Sequence, residues 1–348
     1  MTRALITGIT GMVGSHLLDY LLPNTDWEIH GMLRWRSPLD NIQDHIERIN
    51  DGDRRIKLFY GDLTDALSID AVIQASMPDY VFHLAAQSFP KVSFDSPLVT
   101  LDTNVQGTER VLAALRKYRP DAIIHVCSSS EVFGRVPADK LPINEECSFH
   151  PASPYAISKV GTDLIGRYYA EAYGMNVQTT RMFTHTGPRR GDVFAESTFA
   201  KQIALIEQKK IPPIIKVGNL DSLRTFADVR DAVRAYHMLL TINPTPGAYY
   251  NIGGDTTRTI DQMLDTLLDL SPSLARHAMR GMDQDVTVVQ VRTDPARLRP
   301  IDADLQVPDT TKFRRHTGWA PQYTFERTMA DLLDYWRERV RNTEFLTR

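Results

Sequence analysis

Two groups of residues have the types and the spacing to do chemistry on a bound nucleotide. Gly8, Gly11 and Gly14 form a Gly-x-x-Gly-x-x-Gly turn near the start of the chain, and Tyr155 and Lys159 lie four residues apart much later. Glycines in a turn that opens a helix let the backbone approach a pyrophosphate. A tyrosine one helical turn from a lysine can exchange a proton with a hydroxyl group. Together they predict redox chemistry on an alcohol or a ketone.

The surroundings of the tyrosine add to this prediction. We expect the ammonium group of Lys159 to lower the pKa of Tyr155 from its usual value of about 10. The run Ser128–Glu131, of sequence Ser-Ser-Ser-Glu, follows an apolar segment, where a hydroxyl could bind the same substrate oxygen. The two cysteines, Cys127 and Cys147, do not have metal-ligand spacing, so we expect no metal site.

The end of the second predicted strand distinguishes between two cofactors. A ribose 2′-hydroxyl calls for an acid there, whereas a 2′-phosphate calls for arginine. The segment Met32–Ser37 contains Arg34 and Arg36 and no acid, which favours NADP over NAD; a solvated basic loop is the alternative. The residues expected to contact the cofactor are Gly8, Thr10, Gly11, Met12, Val13, Gly14, Arg34, Arg36, Asp62, Leu63, Leu84, Ala85, Ala86, Gln87, Tyr155 and Lys159.

Short apolar segments alternate with helical patterns over most of the chain and position these residues. Helices are predicted at about 97–118, 155–173 and 229–240, and strands at 3–7, 27–33, 56–60, 80–84, 122–126, 176–181 and 248–252. Strands separated by helices predict a parallel sheet with right-handed crossovers, covered on both faces. The expected fold class is therefore α/β, with a Rossmann-type doubly wound parallel sheet.

This alternation is interrupted in two stretches. Residues 184–223 carry three prolines around one helix, and the region after Gly253 carries two helices, a candidate strand at 286–291 and a proline-rich stretch at 295–308. These stretches predict a smaller, discontinuous α/β domain that binds the substrate. The expected division is 1–181 plus 226–256 for the NADP-binding domain and 182–225 plus 257–348 for the substrate domain.

Composition argues against several other classes of protein. The net charge of −3 over 348 residues gives no electrostatic case for nucleic acid or a membrane surface as a partner. No apolar run approaches the roughly 20 residues that a membrane span needs. The chain begins on a strand pattern without a signal peptide, so we expect a cytoplasmic protein.

Motifs along nearly the whole chain resemble those of the extended short-chain dehydrogenases/reductases, the NAD-dependent epimerase/dehydratase family, which acts on nucleotide sugars. Within it, residues 85–97, the Ser-x-Glu at 129–131, 188–191 and 34–37 resemble the GDP-mannose 4,6-dehydratases, whereas residues 200–203, 214–220 and 228–231 resemble the GDP-4-keto-6-deoxymannose reductases. The motifs shared with the wider family are Gly8–Gly14, Asp62-Leu63, His83–Gln87, Asn104, Ser128–Ser130, Tyr155 and Lys159, Arg224–Val229, Asn251–Gly254 and Leu298–Pro300.

The resemblance implies that Ser129, Glu131, Tyr155 and Lys159 are catalytic, with Glu131 as the base of a 4,6-dehydratase. Such an enzyme oxidises GDP-mannose transiently at C4 with bound NADP, removes the C5 proton, releases water from C6 and returns the stored hydride to C6 to give GDP-4-keto-6-deoxymannose. Because the resembling reductases also carry a glutamate here, a GDP-4-keto-6-deoxysugar reductase, a GDP-sugar 4-epimerase and a catalytically silent NADP-binding regulator remain alternatives.

The same resemblance implies where the nucleotide sugar binds, which makes the second domain a nucleotide-sugar-binding domain. At Thr184 this chain departs from the asparagine that the relatives use to hold the sugar nucleotide, so the sugar pocket is expected to differ. The resemblance also implies a homodimer or homotetramer assembled through helices such as those at 97–118 and 155–173. The expected substrate contacts are Ser88, Ser130, Thr184, His185, Arg189, Lys201, Val217, Asn219, Arg224 and Arg299.

Overall fold

The computed structural model describes residues 1–277, 285–301 and 303–342, with the side chain of the last of these residues excepted. The strands are β1 (Arg3–Thr7), β2 (Glu28–Leu33), β3 (Ile56–Tyr60), β4 (Tyr80–His83), β5 (Ile123–Cys127), β6 (Asn176–Met182), β7 (His185–Thr186), β8 (Ile214–Val217), β9 (Leu223–Asp228), β10 (Tyr249–Ile252), β11 (Thr256–Thr259), β12 (Leu274–Ala275), β13 (Thr287–Val288), β14 (Gln290–Thr293) and β15 (Leu305–Gln306). The helices are α1 (Met12–Asn24), α2 (Gln43–Asn50), α3 (Ala66–Ser76), α4 (Pro90–Asp95), α5 (Pro97–Leu101), α6 (Gly107–Tyr118), α7 (Pro154–Tyr173), α8 (Ala195–Glu207), α9 (Val229–Thr241), α10 (Ile260–Asp269), α11 (Thr311–Thr317) and α12 (Phe325–Asn342).

Seven strands form one parallel sheet in the order β10-β6-β5-β4-β1-β2-β3. Each of the seven predicted strands is present, with ends that agree to within one residue. Their apolar runs are buried because helices cover both faces of a parallel sheet. The predicted α/β fold with a doubly wound parallel sheet is therefore confirmed.

Helix α7 carries both Tyr155 and Lys159, and its ends explain why it begins and stops where it does. The hydroxyl of Ser153 accepts a hydrogen bond of 3.0 Å from the amide of Ala156, and Pro154 occupies the first turn. The helix ends at Gly174, which adopts a left-handed φ of 66° that glycine tolerates. Tyr155 and Lys159 therefore lie at the beginning of the helix, where it approaches the carboxyl end of β5.

The helix predicted at about 97–118 forms in three connected pieces. Helices α5 and α6 are joined by a π-helical segment, Asp102–Gln106, which keeps the run continuous. The side-chain amide of Asn104, inside this segment, donates a hydrogen bond of 2.8 Å to the hydroxyl of Ser158 on α7. The π-helical segment between α5 and α6 is thus bonded to α7, the helix that carries Tyr155.

The remaining elements build a second, smaller layer. Strand β9 pairs with β11 in antiparallel and with β15 and β7 in parallel orientation, and β8 pairs with β14. In place of one strand at 286–291 there are two short strands, β13 and β14, and the helix α11 appears beyond the two helices that were expected. Helices α8, α10 and α12 pack together around a core that includes Phe199, Leu264 and Leu333.

The expected domain boundary between residues 225 and 226 lies inside β9. Strand β9 leads directly into α9, which packs on α1 beside the seven-stranded sheet, so one strand serves both layers. The division into two domains remains a prediction. Among the described helices, none combines the length and the apolar character that crossing a membrane requires.

Candidate active site

The glycine turn between β1 and α1 forms a tight cradle. Gly8 has a φ of +73°, and a Cβ atom there would lie 3.0 Å from Cα of Ala85. A Cβ atom on Gly14 would lie 2.3 Å from the carbonyl oxygen of Gly8, so only glycine fits. Gly11 caps α1 without a side-chain hydrogen bond to the first amides of the helix. These uncapped amides and the space kept by the glycines fit the pyrophosphate of a dinucleotide.

The loop after β2 presents its basic residues to solvent. Arg34 and Arg36 are both exposed, and the amide of Arg34 donates 3.2 Å to the hydroxyl of Ser37. Partial burial would raise the pKa of Asp62, but hydrogen bonds from Thr64 and the charge of Arg34 together hold it below its usual range. Arg34 is therefore near the predicted cofactor contact at Asp62, and the binding of a cofactor by either residue remains a prediction.

The residues after β4 are held against the glycine turn. The hydroxyl of Thr7 accepts hydrogen bonds of 3.0 Å from the amides of Leu84 and Ala85. The amide of Gln87 donates 2.8 Å to the side-chain oxygen of Asn104. The structure thus brings the segment 84–87 to the same end of the sheet as the turn, at the carboxyl ends of the strands where ligands bind in such folds.

Tyr155 and Lys159 are buried side by side, but they do not interact as the sequence predicts. The Nζ atom of Lys159 donates 2.8 Å to the carbonyl oxygen of Cys127 and lies 6.0 Å from the centre of the Tyr155 ring. Burial raises the pKa of Tyr155 well above its usual value and lowers that of Lys159, because burial disfavours both charged forms. The prediction that Lys159 gives Tyr155 a low pKa is therefore wrong for this arrangement.

The charge of a cation that the sequence reasoning missed acts on the tyrosine. The guanidinium of Arg190 lies 3.4 Å from the centre of the Phe194 ring, and its Nε donates 3.1 Å to Glu196. Its charge acts to lower the pKa of Tyr155, against the effect of burial. Burial and the same charge lower the pKa of His185 to about 4. The only sequence signal for Arg190 was its place beside Arg189 in the Pro-Arg-Arg-Gly segment.

Ser129 and Glu131 lie close to the tyrosine. The Ser129 hydroxyl acts to lower the pKa of Tyr155 and accepts a hydrogen bond of 3.2 Å from the amide of Glu131. The charge of Glu131 acts to raise the pKa of Tyr155, whereas the charge of Arg190 acts to lower it. The carboxylate of Glu131 lies 3.7 Å from Nη1 of Arg299. A hydroxyl, a phenol, a carboxylate and two arginines therefore converge at the carboxyl end of β5.

Two of the predicted substrate cations are already paired with acids. Nη1 of Arg189 lies 2.6 Å from Asp19 on α1, and Nζ of Lys201 lies 2.7 Å from Asp192. Arg189 therefore points to the first helix, away from the group around Tyr155. A role for either residue in binding the nucleotide sugar remains a prediction.

Several other predicted substrate residues lie in or near β8 and β9. The guanidinium of Arg224 is buried and donates to the carbonyl of Ala303. The side-chain amide of Asn219 donates a hydrogen bond of 3.0 Å to the hydroxyl of Ser222. Val217, the last residue of β8, is buried in the core of the second layer. These contacts place the three predicted residues in the second layer, and their contact with substrate remains a prediction.

The remaining predicted contacts lie at the ends of β4, β5 and β6. Ser88 is exposed and Ser130 is buried, while the carbonyl of Thr184 accepts a hydrogen bond of 2.9 Å from the amide of Ala227. Thr184 thus ties the end of β6 to β9 through its backbone. Within the described part of the chain, no group of three or more histidine, cysteine or acidic residues is arranged to hold a metal ion.

A doubly wound parallel sheet, a glycine turn after its first strand, and a serine, tyrosine and lysine converging at β5 define an enzyme of the extended short-chain dehydrogenase/reductase class. More specifically, this chain belongs to the GDP-mannose 4,6-dehydratase family, because the family model described as "GDP-mannose 4,6 dehydratase" matches residues 5–332. The resemblance noted in the sequence is thereby confirmed.

Relatives of two activities are similar to this chain. The GDP-mannose 4,6 dehydratase of Drosophila melanogaster is 33% identical over 341 residues, covering 95% of this chain and 85% of that protein. The GDP-6-deoxy-D-mannose reductase of Pseudomonas aeruginosa is 30% identical over 340 residues, covering 97% and 98%. The structure of RMD from Pseudomonas aeruginosa complexed with NADPH superposes with a TM-score of 0.78 at 27% identity, covering 97% of this chain and 100% of that chain.

Proposed function

We propose that this protein is a nucleotide-sugar 4,6-dehydratase that converts GDP-mannose to GDP-4-keto-6-deoxymannose with NADP bound. The observation that carries this proposal is the position of Glu131: its backbone amide donates to the Ser129 hydroxyl, and the charge of its carboxylate acts to raise the pKa of Tyr155. Elimination of water needs a base for a carbon-bound proton, whereas simple reduction of a ketone does not. The family match over residues 5–332 supports the same activity.

The residues that would hold NADP are present and fit it. The turn Gly8–Gly14 offers uncapped amides to the pyrophosphate, and the exposed Arg34 and Arg36 offer guanidinium groups to the 2′-phosphate. No acid stands between Met32 and Ser37 to favour a 2′-hydroxyl instead. When bound, NADP supplies a reversible acceptor for a hydride.

Tyr155 would take the proton from the sugar C4 hydroxyl as C4 becomes a ketone. The Ser129 hydroxyl, which acts to lower the pKa of Tyr155, would donate to the same substrate oxygen. The charge of Arg190 favours the phenolate form, which burial otherwise disfavours. Tyr155 would therefore be the base, and Ser129 and Arg190 would favour its phenolate form. Lys159 is bonded to the carbonyl of Cys127 beside them.

Glu131 would act in the second stage. A ketone at C4 acidifies the proton on C5, and a carboxylate in reach can remove it. The hydroxyl on C6 then leaves as water, which takes up the proton that Glu131 has removed. The double bond left between C5 and C6 would be reduced when the hydride taken from C4 returns to C6 and a proton is added at C5, which gives the 6-deoxy product and restores the oxidised cofactor. Arg299, 3.7 Å from the Glu131 carboxylate, would orient this base and contribute positive charge near the anionic nucleotide sugar.

We also propose that the protein is a homodimer or homotetramer. Helices α5 and α7 leave apolar side chains exposed on adjacent helices, which is typical of an interface between protein chains. Sedimentation of the purified protein at micromolar concentration tests this, and a monomer would contradict it. The exposed side chains are Leu98, Val99, Ile157, Leu164 and Tyr168.

A reductase acting on a GDP-4-keto-6-deoxysugar is the second candidate, because a relative of that activity covers 97% of this chain at 30% identity. Incubation of the purified protein with GDP-mannose and no added NADPH separates the candidates. Formation of a 4-keto-6-deoxy product supports the dehydratase, and a C4 epimer supports an epimerase. Turnover only with a ketosugar and NADPH supports the reductase. No turnover of either substrate, with NADP bound, supports a silent regulator.

A further inference from the structure

Asp19, on the third turn of α1, joins two segments that are distant in sequence. Its Oδ1 atom lies 2.6 Å from Nε2 of His45 on α2, and its Oδ2 atom lies 2.6 Å from Nη1 of Arg189 in the loop before α8. Partial burial would raise the pKa of Asp19, but its bonds to His45 and Arg189 keep it below the usual range. Asp19 is therefore a charged link between the first two helices and the loop.

The same helix holds the loop at a second point. Nε2 of His16, one turn before Asp19, lies 3.0 Å from the carbonyl oxygen of Pro188. Two consecutive residues of the loop, Pro188 and Arg189, are thus bonded to α1, the helix that begins at the glycine turn. A loop fixed at two neighbouring residues has its local backbone direction determined by the helix.

The backbone at Arg189 has an unusual conformation. Its φ is +66°, in the left-handed region that side chains other than glycine rarely adopt without support from their surroundings. Directly after this turn, the Arg190 side chain stacks on Phe194 and binds Glu196, and its charge acts to lower the pKa of Tyr155. The left-handed residue therefore separates an arginine that contacts α1 from an arginine that contacts the active site.

We propose that Asp19 is a positioning residue: its ion pair with Arg189 holds the left-handed turn that directs Arg190 toward Tyr155. The proposal deepens the proposed function and rests on it for the role of Tyr155. It also assigns Arg189 a role different from the predicted contact with the substrate, since its guanidinium is already paired with Asp19.

The proposal has a consequence for proton transfer. The charge of Arg190 acts to lower the pKa of Tyr155, so a displaced Arg190 leaves Tyr155 with a higher pKa. The rate would then need a higher pH to reach its maximum. The ionisable and polar groups that face Tyr155 are Ser129, Glu131, Arg190, Cys127, Lys159 and Tyr236.

The test compares Asp19→Asn with a matched control, Asp79→Asn. Asp79 forms an ion pair of 2.7 Å with Arg119 and its side chain is 39% exposed, against 2.6 Å and 35% for Asp19 with Arg189. Asp79 directly precedes β4 and so lies at the amino end of the sheet, opposite the active site. Both substitutions keep the size of the side chain and remove its charge.

The first readout is cleavage by trypsin after Arg189 and Arg190, followed by mass spectrometry on the full-length protein. Loss of an ion pair of this exposure is expected to speed cleavage at these two bonds by about fivefold. Asp79→Asn should leave it unchanged, and Asp19→Glu should restore most of the protection. Equal cleavage in wild type and Asp19→Asn would overturn the proposal. If Asp19→Asn does not fold, Arg189→Gln removes the same pair from its other side, and cleavage is then compared only at the bond after Arg190, because the substitution also removes the cleavage site at residue 189.

The second readout is the dependence of kcat on pH with GDP-mannose. The acidic limb of the profile should move up by about half a pH unit to one unit in Asp19→Asn, since Tyr155 loses part of a neighbouring positive charge. An unchanged limb together with faster cleavage would contradict the part of the proposal that concerns Arg190. If the wild type does not turn over GDP-mannose, the proposed function fails, and the cleavage test still decides whether Asp19 holds the loop.

Discussion

Replacing Glu131 by glutamine separates the two chemical stages of the proposed reaction. Glutamine keeps the shape of the side chain but cannot take up a proton. The ion pair with Arg299 is long, at 3.7 Å, and its side chains are 18% and 28% exposed, so its loss should cost only about 0–1 kcal/mol of stability. The hydrogen bond from the Glu131 amide to Ser129 involves the backbone and survives. The protein should fold and bind NADP normally.

The effect on catalysis should be far larger. A positioned general base contributes about 10²–10⁴ in rate, which corresponds to about 3–5 kcal/mol on the barrier for removal of the C5 proton. Oxidation at C4 should not slow, because loss of the Glu131 charge favours the Tyr155 phenolate. We therefore expect at least a hundredfold loss of product, while reduced cofactor accumulates to about one equivalent per active site.

The assay mixes the NADP-loaded variant with excess GDP-mannose and follows the absorbance of the reduced cofactor and the formation of product in the same samples. Glu207→Gln is a suitable control, because Glu207 also pairs with an arginine, Arg337, with side chains 13% and 24% exposed. That control should turn over like the wild type after correction for stability. Unchanged turnover in Glu131→Gln would refute Glu131 as the base, and a loss of product without reduced cofactor would place it in the first stage instead.

Three further predictions concern the cofactor cradle, cofactor choice and acid stability. Gly14→Ala should abolish NADP binding in a fluorescence titration, because its Cβ atom would lie 2.3 Å from the carbonyl oxygen of Gly8. The double substitution Arg34→Ala and Arg36→Ala should weaken NADP binding by at least tenfold and leave NAD binding unchanged, because only NADP has a 2′-phosphate that the two arginines could bind. Equal weakening of NADP and NAD binding would contradict this prediction. Burial lowers the pKa of His83 to about 3, so between about pH 6.5 and 3 the unfolded chain binds a proton that the folded chain does not. The free energy of unfolding from urea titrations should therefore fall as the pH decreases through this window, by about 2–3 kcal/mol from this residue at pH 4.5, and His83→Gln should flatten the fall.

The sheet and the glycine turn could be predicted from the sequence because their determinants are local. Each strand of the large sheet is a short apolar run, and Gly8 and Gly14 stand where a tight turn leaves no room for a side chain. Tyr155 and Lys159 share a helix because four residues make about one turn. In the second layer the strands are two to six residues long and pair across large distances in sequence, so β13 and β14 could not be separated in advance.

The electrostatics of the site could not be read from residue types. The partner of Lys159 is a backbone carbonyl on β5, which has no signature in the sequence. Which of two adjacent arginines faces Tyr155 depends on the left-handed φ at Arg189, a conformation that a glycine would have signalled and an arginine does not. The choice is fixed by Asp19, 170 residues earlier in the chain.

The central claim is that one active site oxidises C4 and reduces C6 of the same sugar. Incubation of the protein with GDP-mannose deuterated at C4, without added NADPH, tests this directly. The account predicts a 4-keto-6-deoxy product that carries the deuterium on its C6 methyl group. Deuterium returned to C4 of an epimerised sugar, or a wild-type protein that leaves GDP-mannose unchanged, would contradict it.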